Sequence, residues 1–120
     1  PEGVTFLDDY GHERSCSRIR WWSNPGTYRE MSMVPPSELP KIPDIPVPDA
    51  KELSYDNDKA LFIGHYTFRS DPDVLSQSVC CVDFAVTDKS RSAKLCCYRW
   101  SQGEINLSPA NLIWIDKEPS

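Results

Sequence analysis

The sequence contains no apolar run approaching the roughly 18 residues that a membrane-spanning helix needs, so no segment is expected to cross a bilayer. Its opening, PEGVTFLDDYGH, has no basic stretch leading into an apolar one and no initiator methionine. No secretion signal is read there, and the chain is expected either to lack its first residues or to be a piece of something longer. An excess of basic charge is also missing. Thirteen Lys and Arg against 18 Asp and Glu leave a net charge of −5, which argues against nucleic acid as a partner, because a phosphate backbone calls for a basic face. The spacing C-x-x-C does not occur, and with it the stronger zinc signature is absent. The five cysteines, Cys16, Cys80, Cys81, Cys96 and Cys97, are odd in number; without a secretion signal they are read as reduced thiols of a cytoplasmic protein.

What is present describes a folded chain. Apolar content of 39%, charged content of 26% and four tryptophans are those of a globular protein. At 120 residues the expectation is a single domain, 1–120, that buries roughly two-thirds of the surface its unfolded form exposes. Residues 4–22 read as a hairpin, with VTFLD and ERSCSRIRWW joined by the turn-prone DYGH. In the second arm Cys16, Arg18, Arg20 and Trp22 fall on one face, with Ser15, Ser17, Ile19 and Trp21 on the other. TYREMSMV, 27–34, reads either as a short strand or as a helical turn. The connector 35–50 follows, with six of the eleven prolines. Proline fixes φ and lacks a donor, so this segment is expected to run extended, with SELPKI as one helical turn.

From residue 59 to 116 the pattern is that of a sheet. ALFIGHYTF reads as a buried strand; QSVCCVDFAV and KLCCYRWS read as a hairpin about the polar loop TDKSRSA; NLIWID is the last strand, with Leu112 and Trp114 on one face and Ile113 and Ile115 on the other. GEINLSPAN supplies a turn. The fold class is α+β, mainly antiparallel β. Neighbouring residues on a strand point to opposite faces, so Cys80 and Cys81 do not form one chelating pair. Cys80 with Cys97, or Cys81 with Cys96, would face each other across the hairpin, most simply as small apolar side chains. Gly64-His65-Tyr66 ends an apolar run with a histidine, a position suited to a metal ligand. Arg14, Arg18 and Arg20 are candidates to meet a phosphate-bearing substrate, or to pair with Asp8, Asp9 and Glu13. No catalytic residue is identified.

GVTFLDDYGHERSCSRIRWW, then TYREMSMVP, a proline-rich connector, KALFIGHYTF, VCCVDFAV, KLCCYRW and LIWID resemble, in that order, the C-terminal part of a bacterial group of calcineurin-like metallophosphoesterases. The group is serine/threonine-phosphatase-like or diadenosine-tetraphosphatase-like. The resemblance covers nearly the whole chain and implies the sheet portion of a β-sandwich that carries two metal ions at its strand tips. Gly64-His65 matches the final G-H motif, so His65 is implied to be one metal ligand; Thr67 stands where many members carry a second histidine. Nothing in the chain resembles the G-D-x-H-G, G-D-x-x-D-R-G and G-N-H-[DE] motifs that supply the other ligands. The expectation is therefore a structural or binding module without catalysis of its own and without a cofactor. The alternative is a phosphoesterase whose Mn, Fe or Zn site is completed by a missing half or a partner chain. A sheet separated from its covering strands exposes an apolar face, so a homodimer or a complex with a separate N-terminal chain is expected, closing over LFIGHYTF and its neighbours.

Overall fold

Asp8 decides where the chain first turns. Its carboxylate accepts the backbone N–H groups of Tyr10 and His12, each at 2.9 Å, and Gly11 takes the left-handed φ of 79° that closes the bend. The same carboxylate meets the Arg14 guanidinium at 2.9 Å. These contacts, the His12 N–H foremost and Arg14 next, hold the Asp8 acid down at about 2. The turn joins β1 (Phe6–Leu7) to β2 (Glu13–Arg14) in an antiparallel ladder.

The computed structural model describes residues 1–55, 57–85 and 93–118. Its contacts fall into two compact units, Pro1–Asp56 and Asn57–Ser120. Among the described residues no helix is long and apolar enough to cross a membrane. Short strands in mostly antiparallel pairs, with one four-residue α-helix, make the chain a small α+β protein.

In the first unit the expected hairpin over 4–22 is real but shorter. Its second arm leaves the ladder after Arg14, and Ile19 instead forms an isolated bridge to Ser32. The two-face reading of Cys16 through Trp22 is thereby corrected, because the apolar residues it needed on one side are too few to bury a strand there. Thr27 caps the helix α1 (Tyr28–Met31): its hydroxyl accepts from the Glu30 N–H at 3.2 Å while the Glu30 carboxylate accepts from the Thr27 N–H at 2.8 Å. Of the two readings of TYREMSMV, the helical turn is the one formed. Pro36–Lys41 is a 3₁₀ helix, as SELPKI suggested, with Pro40 inside it, and Ala50–Leu53 is a second. Glu38, buried, accepts from the Leu7 N–H at 2.9 Å and from Lys41 at 2.7 Å, tying the 3₁₀ helix to β1. Phe6, Trp22, Met31, Ile42 and Ala50 form the buried apolar set of this unit.

The second unit departs more from expectation. β3 (Leu61–Ile63) is half exposed rather than buried and pairs parallel with β4 (Val79–Cys81), in the register Leu61↔Val79. The strand stops at Ile63 because His65 and Thr67 adopt left-handed φ values of 67° and 53°. β5 (Asp83–Phe84), β6 (Lys94–Tyr98) and β7 (Leu112–Asp116) form an antiparallel sheet in that order. The hairpin between the two cysteine-bearing segments therefore uses only Asp83 and Phe84 of the first. Cys80 and Cys81 sit on β4 opposite Phe62 and Ile63, so neither expected cysteine pair is a cross-strand pair. The loop TDKSRSA lies outside the described residues except for Ala93. Cys80, Leu107 and Leu112 form the core, with Ala60, Val74, Val82, Cys96 and Tyr98 packed on it. Tyr98 also organises the long return to β7. Its hydroxyl meets the Glu104 carboxylate, which accepts from Asn111 at 3.0 Å, and it accepts from the Ser108 N–H at 3.0 Å. Ser108 then caps the 3₁₀ turn Pro109–Asn111 that delivers the chain into β7.

Candidate functional site

His65 is exposed at the end of β3, one residue beyond Gly64. A non-glycine residue at positive φ is uncommon, and for β-branched Thr67 it is an outlier; such conformations cost about 1–3 kcal/mol each and persist only where surrounding bonds impose them. Here the imposing group is Asp83. One of its carboxylate oxygens accepts the His65 N–H at 3.0 Å, and the other accepts the N–H of Ala85, itself at a φ of 60°, at 3.2 Å. Its backbone carbonyl takes the Phe68 N–H at 3.1 Å. Asp83 thus fixes both sides of the strand tip. Sequence reading missed this role, although an acid flanked by two apolar pairs in CCVDFA is an unusual position for a charge.

The fit of a metal at this tip is limited by what converges there. Among the described residues no three His, Cys, Asp or Glu side chains gather to hold an ion, and a divalent site needs three or four. Asp71 lies 3.4 Å from Lys94, and Asp73 accepts its neighbour Val74's N–H; Asp56 lies outside the described residues. His65 is therefore a single potential ligand, and no chemical step is routed through a metal. The three arginines belong to the first unit. Arg14 is held by Asp8, as one expected pairing had it, while Arg18 and Arg20 are exposed at the point where the chain bonds to Met33 and Met31.

The cysteines separate by burial. Cys80 and Cys81 are fully enclosed, Cys96 is half-buried, and Cys16 and Cys97 are exposed; all five are free thiols. Burial pushes the Cys80 thiol up to about 12, helped by Cys96 and Cys81 close by, and burial likewise raises Cys81 and Cys96. These three serve as small core side chains.

The most distinctive surface of the second unit is one face of its three-stranded sheet. In the β6–β7 register Leu95 lies opposite Ile115, and Cys97 opposite Ile113. Directly paired residues share a face. That face carries Leu95, Cys97, Ile113 and Ile115, with the three aliphatic side chains 56%, 47% and 65% exposed for Leu95, Ile113 and Ile115. The opposite face carries Tyr98, Cys96 and Leu112 and covers the core. β7 is the last strand of the sheet, so its outer edge is unpaired among the described strands. Alternation in NLIWID places Ile113 and Ile115 together, but apolar residues on both faces hide from the sequence which one is covered.

Comparison with known proteins gives no match to a family model, to a curated protein or to a solved structure.

Proposed function

We propose that this chain is a cytoplasmic, C-terminal metallophosphoesterase-like module that works by assembly rather than by catalysis, pairing with a second copy of itself. The observation that carries the reading is the apolar face of Leu95, Cys97, Ile113 and Ile115 on a sheet whose edge strand β7 is open. Contiguous aliphatic surface of this kind marks an interface. Two copies that pack these faces together about a two-fold axis bury both sets of isoleucines. Phe62 of β3, within LFIGHYTF, lies 5.2 Å from Tyr98 and so on the other side of the sheet from this face. A separate chain carrying the missing metal-binding half is the other occupant of the same face. Sedimentation over a wide concentration range tests the reading: a species of twice 13.7 kDa supports it, and a monomer throughout contradicts it.

The exposed His65, with its backbone fixed by Asp83, favours a second reading. There the chain is half of a phosphoesterase, and His65 is one ligand of a Mn, Fe or Zn site completed by another polypeptide. Metal content and hydrolysis of a generic phosphate ester decide it. Stoichiometric metal and turnover that vanish together in His65→Ala would establish this reading against assembly alone; protein free of both, with His65→Ala indistinguishable from the parent, would remove it.

A further inference from the structure

A cleft of about 330 Å³ opens in the first unit, between the loop after Trp22 and the segment that follows the second 3₁₀ helix. Tyr55 and the small part of the otherwise buried Trp22 that reaches the cleft supply aromatic wall, and the Pro25 ring adds to the apolar side. Ser23, Asn24 and Ser54 contribute polar groups, and Lys51 contributes the one formal charge among the lining residues. The size sits at the small end of ligand-binding cavities, and the mixture of ring surface with a few polar groups is the usual lining of such sites.

The two walls are braced against each other. The Tyr55 N–H donates to the Trp21 carbonyl at 2.8 Å, joining segments 34 positions apart. The Trp21 indole stands edge-on to both wall rings, 5.2 Å from Trp22 at 78° and 6.2 Å from Tyr55 at 75°. On the Ser23 side, its N–H bonds to the Arg20 carbonyl at 3.0 Å; on the Ser54 side, the N–H and hydroxyl bond to the Lys51 and Ala50 carbonyls. A cleft held in this way does not have to be ordered when a ligand enters, which removes one cost of binding.

We propose that this cleft binds a small organic anion with a planar ring, the ring lying against Trp22 and Tyr55 and the anionic group meeting Lys51. The charge selects an acid, and the ring walls select a flat apolar body. A neutral saccharide fits less well, because it gives the Lys51 ammonium no opposite charge.

Tryptophan fluorescence of the full chain, titrated with 1-naphthoate and with its neutral analogue 1-naphthamide, tests this. Saturable quenching by the acid, with the amide weaker by roughly fivefold, is the expected result. Lys51→Gln, an exposed position whose replacement leaves the fold intact, should bring the acid down to the amide. Tyr55→Ala should weaken both. Equal binding of acid and amide, non-saturating quenching, or acid binding unchanged by Lys51→Gln would overturn the proposal. Saturation by a neutral disaccharide in preference to naphthoate would overturn it as well.

Discussion

At the scale of single residues, polar groups placed among apolar neighbours decide most of the local geometry. Asp83 imposes left-handed backbone on His65 and Ala85, and Asp8 closes the first turn. The cysteines show the same dependence on surroundings. With the Cys80 thiol pushed up to about 12 by burial and Cys81 also raised, both should resist a maleimide at neutral pH, while Cys16 reacts rapidly and Cys97, on the proposed interface, reacts rapidly only at dilutions where the chain is monomeric. Peptide mapping of the labelled protein reads the difference directly. The sign of the pH effect follows. A folded pKa above the ordinary 9.0 means that Cys80's contribution to stability is complete below about pH 9 and is lost as pH rises toward about 12. Urea midpoints should therefore fall across that alkaline window, and less steeply in Cys80→Ala. The sequence made the small apolar character of these thiols legible. It did not make their neighbours legible, because the parallel pairing of β4 with β3 removes Cys80 and Cys81 from the hairpin that adjacency along the chain implies.

At the scale of elements, legibility followed the strength of the local signal. The helical turn in SELPKI and the last strand NLIWID each carry their reason within a few residues, whereas TYREMSMV is open between strand and helical turn until the Thr27–Glu30 capping box shows which forms. The long apolar run ALFIGHYTF does not: its strand ends after three residues, because Asp83, 18 positions after His65, holds the tip in another conformation. The second arm of the first hairpin fails for a related reason, since Ile19 finds its partner at Ser32 rather than across the turn. The two sides of β7 offer the clearest energetic contrast. Leu112 is buried with Cys80 and Leu107, so Leu112→Ala should cost about 2–3 kcal/mol of unfolding free energy, low in the range for core leucines because an edge strand relaxes into the space. Ile115→Ala, three positions along but exposed, should stay within about 0.5 kcal/mol at concentrations where the chain is monomeric. Urea denaturation of both variants measures the pair.

At the scale of the whole molecule, the proposed assembly rests on apolar side chains left exposed on β6 and β7 rather than on LFIGHYTF, over which closure was expected. The structure offers a candidate for the uncovered surface: aliphatic side chains on the outer face of β6 and β7, beside an open strand edge. Of this candidate site the sequence made the apolar alternation legible, but the identity of the exposed face depends on where Leu107 and Cys80 pack, which is a matter of tertiary contact. The central claim is that this face is where the chain assembles, and sedimentation equilibrium of the parent beside Ile115→Glu tests it most directly. The account predicts a self-associating parent and a folded, monomeric variant, because a charge placed in the apolar patch opposes its burial. A parent that stays monomeric at every concentration, or a variant that associates as strongly as the parent, would contradict it.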